Sequence, residues 1–317
     1  MLILSYEKNF NRKTAIMKNT DGNTELDTGK GTLKFDEPMS RHCSWHAGGP
    51  AKQYFEPANI DQLGKFLNSL DPDEEIFWLG LGSNLLVRDG GFDGTVISIK
   101  NVFNNIEITG TKRIRAGSGM TCARVARFSA GHGLTGAEFL AGIPGTMGGA
   151  LAMNAGAFGS ETWDIVTGVI TIDRSGNQRE WTRDEVITGY RYTGFKDDIC
   201  FVSADLELSP DHEDQAHNKI RQLLALRSES QPVGLASCGS VFCNPGNDYA
   251  ARLIDACQLK GTRIGGAVVS EKHANFIINS GNATATDIEA LINQVKETVK
   301  QQHGIDLKTE VRIIGSK

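Results

Sequence analysis

The chain has 317 residues, 39% of them hydrophobic and 22% charged, with a formal net charge of −5, the make-up of an ordinary soluble chain large enough for two or three packed cores. The mild acidity argues against a nucleic-acid footprint, which needs a basic stripe, and apolar runs such as 76–79 and 267–269 fall far short of the roughly twenty residues that cross a bilayer. Glycine is the outlier, with 36 residues against only 8 prolines; a share of about 11%, where about 7% is usual, excludes neither fold nor function but does exclude collagen-like repeats and places the excess at turns and close backbone approaches.

The first residues carry a short apolar patch, then charges, and no small-residue cleavage site, so no signal peptide is expected and the setting reads as cytoplasmic. Residues 1–40 are polar and mixed, which predicts a loosely tied N-terminal arm. His42, Cys43 and His46 cluster, but no second ligand pair stands near them and none of the 6 cysteines forms a C-x-x-C pair. Neither a metal site nor a disulfide framework is expected.

A strand at Tyr54 and Phe55, a helix with Ile60, Leu63, Phe66, Leu67 and Leu70 at helical spacing, and an apolar strand over 75–80 form a β-α-β unit. Segments 95–99, 106–109 and 113–116 read as strands. Cys122, Val125, Ala126 and Ser129 share a helical face that Gly131 and Gly133 end. Strands return over 165–173 and 200–208, and a helix over 217–228 is broken at Pro232. Thr286 and Glu289 predict a capping box for a helix whose buried face is Ile288, Leu291, Ile292, Val295 and Val299 and whose end is Gly304. Segment 307–314 alternates as a last strand, in which Glu310 and Arg312 point to one face.

Two glycine-rich segments need a physical reason. Residues 80–87, GLGSNLLV, follow an apolar strand, but the third glycine of a dinucleotide fingerprint is missing and the chain continues as strand, not helix. Either the bare amides, with Ser83 and Asn84, form an anion-binding nest, or this is a plain turn. Residues 142–159, GIPGTMGGALAMNAGAFG, lack the lysine of a phosphate loop. Their small side chains either let a large flat or charged ligand approach the main chain, with Pro144 fixing a turn and Asn154 offering a donor and an acceptor, or serve close packing.

Read in order with GYRYTGFK (189–196), GSVFCNP (239–245), SEKHANFIIN (270–279) and EVR (310–312), these segments resemble the UDP-N-acetylenolpyruvoylglucosamine reductase family, the flavoenzymes that make UDP-N-acetylmuramate for bacterial peptidoglycan. The resemblance runs from about His46 to the C-terminus and is to the shorter type, without an inserted substrate loop. It implies an α+β fold with a two-subdomain PCMH-type FAD-binding module over 41–208 (subdomains about 41–100 and 101–208), a substrate-binding α+β domain over 209–303, and a C-terminal strand, 304–317, returning to the active site. It implies non-covalent FAD, NADPH as hydride donor, a nucleotide-sugar substrate and no obligate protein, nucleic-acid or membrane partner.

Carried over by residue, the resemblance implies that Arg191, Ser240 and Glu310 are catalytic. Gly80, Gly82, Ser83, Asn84, Leu85, Gly145, Gly149, Asn154, Gly156 and Arg312 would bind the cofactor, and Tyr190, Arg227, Asn244, Lys272 and His273 the substrate, with Asn275 a further candidate contact. In the implied reaction hydride reaches the methylene carbon of the enolpyruvyl group and negative charge spreads into its carboxylate. A guanidinium such as Arg191 stabilises that charge, the Ser240 hydroxyl supplies the proton, and a partly buried Glu310 stays protonated to donate a hydrogen bond. Cys243 stands where many relatives carry a basic residue, so a charge contact to the diphosphate is either absent or supplied by Lys260, Lys272 or Arg227. A different flavin oxidoreductase on the same module, or a non-catalytic nucleotide-sugar binding protein, are the alternative readings.

Overall fold

The protein's structure, a computed structural model, describes residues 16–20, 23–27, 31–195, 199–213 and 215–317. Its first layer is a six-stranded sheet in the order Ile16–Thr20, Asn23–Asp27, Gly31–Pro38, Pro50–Pro57, Phe92–Ser98, Ile76–Leu79. The first four strands are antiparallel and the last three parallel. Register explains the two faces: Phe55, Ile97 and Trp78 lie in one row, Tyr54, Val96 and Phe77 in the next, and successive side chains of a strand point to opposite sides. Helix α1 (Ile60–Leu67) covers the first row with Leu63, Phe66 and Leu67, and Phe66 stacks on Phe55 at 3.8 Å. Asn59 starts that helix by accepting from the Gln62 N–H at 2.9 Å.

The second layer is an antiparallel five-stranded sheet, Gln178–Thr182, Val166–Ile172, Cys200–Glu207, Arg113–Gly117, Ile106–Gly110. Its buried face packs against α2 (Cys122–Gly131), α3 (Met147–Ala152) and α4 (Ala216–Ser230) through Val125, Ala126, Met147, Leu151 and Ile220. A three-stranded sheet (Arg263–Ile264, Ala267–Val269, Ile277–Asn279) with α5 (Ala250–Ala256) and α6 (Ala285–His303) builds the C-terminal unit. Gly304 ends α6 with a left-handed φ of 71°.

Four expectations are corrected. Residues 31–40 are not a loosely tied arm: Gly31–Pro38 runs along Pro50–Pro57 as an internal strand, Leu33 and Met39 are buried, and Ile16–Thr20 and Asn23–Asp27 are paired strands of the same sheet; the rest of the expected arm lies outside the described residues. The substrate domain does not begin at 209, because Ala216 and Ile220 of α4 pack into the core of the five-stranded sheet, whereas the C-terminal core starts at Cys238 and also takes in Cys43, Trp45, Ala47 and Leu86. The capping box of α6 is Thr284 with Asp287, not Thr286 with Glu289, since the latter pair is engaged by Asp89 and Arg88 of the first layer. Finally, only Arg312–Ile314 forms the last strand, parallel to Leu85–Val87. The chain bends at Val311, and the two residues Glu310 and Arg312 stand in different surroundings: the Glu310 side chain is 13% exposed, while Arg312 lies on the surface.

Candidate active site

Glu310 and Ser240 are brought together by main-chain pairing. The Glu310 N–H donates to the Val241 carbonyl at 2.8 Å, the Cys243 N–H to Lys308 at 2.9 Å, and the Val241 N–H to Asn275 at 2.9 Å. Asn275 further clamps Phe242, accepting from its N–H at 2.9 Å and donating to its carbonyl at 2.8 Å. Its amide is thereby consumed inside the protein, so the expected substrate contact at Asn275 is corrected to a structural clamp. Ser240, half-buried after the left-handed Gly239 (φ 70°), stands one residue ahead of this pairing. Its hydroxyl makes no hydrogen bond among the described residues.

Arg191 reaches the same place from the five-stranded-sheet side. It sits with Tyr190 at the tip of a hairpin in which Gly189 pairs with Tyr192, and its φ of 53° turns the chain there. Its Nε lies 3.1 Å from Glu310 Oε1, without the alignment of a hydrogen bond, while Nη1 and Nη2 donate to the carbonyls of Asn154 (3.4 Å) and Gly156 (3.2 Å). Burial pushes the Glu310 carboxyl above the usual carboxylate range; Arg191 pulls the other way and is outweighed. Arg191 thus carries a fixed cation beside an acid that keeps its proton to higher pH.

The two glycine segments face each other. A Cβ on Gly80 would stand 2.5 Å from Thr146 Oγ1, and one on Gly145 3.4 Å from Ser83 Oγ. Gly82 (φ 65°) has no room for one at all, since it would lie 1.9 Å from the His42 carbonyl oxygen. Gly80 and Gly82 are required by protein packing, as is Gly156, whose Cβ would stand 2.6 Å from the Ser160 carbonyl oxygen, whereas at Gly145 a Cβ would make only ordinary contact. Gly149 differs: it is exposed between buried neighbours, with only Thr146 Oγ1 at 3.7 Å in front of its Cβ position. Bare backbone at Gly145 and Gly149 and the half-buried Ser83 suit a large ligand laid along the main chain. Thr146, which caps α3 by accepting from Gly149, was missed, although a threonine before a helical run is an N-cap signal.

Asn154 is a second correction. Its Nδ2 donates to Glu161 (2.8 Å) and the Gly189 carbonyl (3.0 Å), and its Oδ1 accepts from the Trp163 N–H (3.1 Å). Its amide therefore orders the ground under Arg191 and is not turned to a ligand; Glu161, its partner, carried no signal in the sequence. The Leu85 side chain is buried in the first-layer core, and its main chain pairs with Arg312. Beside Gly80 and Leu81 runs a cleft of about 370 Å³ with Arg41, His42, His46 and Lys100 on its walls. A larger recess of about 820 Å³, along α4, contains none of the expected site residues.

The expected substrate residues form two groups. Tyr190, 49% exposed, stacks under the Arg191 guanidinium at 4.9 Å and accepts from the Asn244 N–H at 3.2 Å; Asn244 Oδ1 in turn accepts from Ala250 at the start of α5. Lys272 Nζ donates to the Ser228 carbonyl at 2.6 Å, next to Arg227, whose Nε donates to Gln231. Burial, aided by the Lys260 charge, holds the His273 imidazole below its usual range, and its buried Nδ1 has no partner among the described residues. Among the described residues no group of three or more His, Cys, Asp or Glu is arranged to hold a metal, and no helix is long and apolar enough to cross a membrane. Lys196 lies outside the described residues.

Comparison with known proteins gives concordant results. Residues 231–314 match the model of the UDP-N-acetylenolpyruvoylglucosamine reductase C-terminal domain, and residues 51–182 that of an FAD binding domain. UDP-N-acetylenolpyruvoylglucosamine reductase of Methylococcus capsulatus is 52% identical over 286 residues, 90% of this chain and 94% of the relative. That of Legionella pneumophila (strain Lens) is 52% identical over 287 residues, 90% and 93% of the two chains. The crystal structure of UDP-N-acetylenolpyruvylglucosamine reductase from Thermus caldophilus superposes with a TM-score of 0.76 at 28% identity, covering 89% of this chain and 98% of that one.

Proposed function

The chain belongs to the UDP-N-acetylenolpyruvoylglucosamine reductase family, and from that premise we propose that it reduces UDP-N-acetylglucosamine enolpyruvate to UDP-N-acetylmuramate with NADPH through non-covalent FAD. The observation that carries the reading is the convergence of Arg191, Glu310 and Ser240, the first two 3.1 Å apart and the third held one residue from the Glu310 main-chain bond. FAD, when bound, supplies the hydride that the methylene carbon accepts. The facing segments at Gly80, Gly82 and Ser83 and at Gly145 and Gly149 fit it, through bare backbone and the Ser83 hydroxyl.

Arg191 is braced by two carbonyls, so its guanidinium is preorganised to hold the substrate carboxylate as charge builds there. The Ser240 Oγ gives its proton to the carbon next to that carboxylate, and its freedom from protein hydrogen bonds leaves it able to turn toward the reacting carbon. Burial favours the neutral form of Glu310, and in that form it donates a hydrogen bond to a carboxylate oxygen without adding a second negative charge. Tyr190 and Asn244 orient the substrate across the two units, and Arg227, Lys260 and Lys272 supply positive charge for the diphosphate where Cys243 supplies none.

The test is a split of the two half-reactions. Ser240→Ala is expected to leave bleaching of the flavin band by NADPH fast and to slow its anaerobic return on adding the enolpyruvyl substrate by about 10²–10⁴-fold. A normal return rate in Ser240→Ala would sink the proton-donor role.

A further inference from the structure

We infer that Asn84, by gripping the main chain on both sides of Val311, is a positioning residue that fixes where the Glu310 carboxyl stands; the inference rests on the role of Glu310 proposed above. Its side chain and its backbone act together. Asn84 Nδ2 donates to the Glu310 carbonyl at 3.0 Å, and the Asn84 carbonyl accepts from the Arg312 N–H at 3.0 Å. The parallel ladder between Leu85–Val87 and Arg312–Ile314 begins only at the next residue, where Leu85 faces Arg312. Asn84 therefore extends that ladder by one rung, its side-chain amide standing in for the backbone group that the bend at Val311 takes out of line.

Among the described residues the Glu310 carboxyl itself takes part in no aligned hydrogen bond, so its place is set through the main chain. The Arg191 Nε contact at 3.1 Å is not aligned as a hydrogen bond, and the Val241 carbonyl fixes only the N–H of Glu310. The remaining Asn84 amide contact, to Met153 Sδ at 3.6 Å, is weak, but it reaches into the second glycine segment. One side chain thus touches the 80–87 turn, the 142–159 segment and the acid-bearing terminus. Asparagine is specified because an aspartate has no amide donor for the Glu310 carbonyl and an alanine leaves that carbonyl without this partner.

The experiment is a double-mutant cycle on the flavin-loaded enzyme, reading anaerobic flavin reoxidation by the enolpyruvyl substrate, with FAD content per chain measured for every variant. Asn84→Ala is expected to slow reoxidation by about 10–100-fold. The Asn84→Ala/Glu310→Gln double variant is expected to be no slower than Glu310→Gln alone, because a residue acting through Glu310 has nothing left to act on. The pH at which the Asn84→Ala rate declines is expected to move from that of the parent, which simple loss of cofactor does not do. Multiplying effects in the double variant overturn the inference, as does an Asn84→Ala defect that saturating FAD restores in full. If Glu310→Gln alone reoxidises at the parent rate, the role of Glu310 itself fails and the inference falls with it. Should Asn84→Ala not hold flavin, Asn84→Ser is carried through the same cycle.

Discussion

Glu310 is the residue whose chemistry depends most on its surroundings. Burial favours its neutral form and Arg191 its ion, and burial wins. A carboxyl whose pKa is higher folded than unfolded binds more protons in the native state between the two values, so stability falls as pH rises through that interval. The substrate half-reaction is expected to be flat in acid and to decline as Glu310 ionises, and Glu310→Gln to remove that decline. Stopped-flow reoxidation rates of both proteins against pH check this, and urea midpoints at pH 5 and pH 8 check the stability change; Glu310→Gln should gain relative to the parent at the higher pH. An unchanged alkaline limb in Glu310→Gln would assign the limb to another group. At this scale the sequence tells residue type better than residue partner. Asn154 and Asn275 stand in the expected motifs, yet their amides are spent on the main chain 9 to 35 positions away. Nothing in a linear pattern distinguishes an amide aimed at a ligand from one that pins a loop.

Helix α6 shows the same limit one level up. Two overlapping patterns, Thr284 with Asp287 and Thr286 with Glu289, both fit a capping box with an acidic third residue, and local chemistry cannot choose between them. The choice is made from the first layer. Asp89 accepts from the N–H groups of Ala285 (3.0 Å) and Thr286 (2.8 Å) and from the Thr286 hydroxyl, and Arg88 makes two hydrogen bonds to Glu289 at 2.9 and 3.0 Å. The helix therefore receives part of its cap from a loop almost 200 residues earlier. Burial raises the Asp89 carboxyl, but the Thr286 and Ala285 donors outweigh it and hold it below its usual range. Its contribution is full above the unfolded value and is lost as pH falls through the depressed one. Asp89→Ala is expected to cost about 0.5–2 kcal/mol near neutral pH, measured by urea denaturation, with the gap to the parent closing in acid. A gap that persists below pH 3 would contradict the assignment to the carboxylate. Helices α1, α2 and α6 and several of the longer strands, by contrast, were legible, because the spacing of buried side chains and the alternation of the strands follow directly from which face is covered; α3, α5 and the C-terminal three-stranded sheet were not.

Domain boundaries were the least legible feature, since they depend on which core a segment joins and not on its own pattern. Residues 43–47 precede the first-layer strand Pro50–Pro57, yet Cys43, Trp45 and Ala47 are buried with α5 and α6. Trp45, fully buried, donates through Nε1 to the Ile277 carbonyl at 2.7 Å, and its own carbonyl accepts from Asn279 at 2.8 Å. With the Arg88–Glu289 pair and the Leu85–Val87 ladder, the C-terminal unit is fastened to the first layer at three separate places. Fastened this way, the unit that carries Ser240 has little reason to unfold ahead of the layer that carries the first glycine segment. Trp45→Phe keeps most of the ring but strands a buried carbonyl, at a cost of about 1–3 kcal/mol. Because the lost bond joins the units, that cost should appear in one shared transition. Flavin release followed by fluorescence and helix loss followed by circular dichroism are expected to move together to lower urea in Trp45→Phe. If helix loss moved alone while flavin stayed bound, the C-terminal unit would be folding independently, and the fastening at Trp45 would be local packing without consequence for the cofactor layer.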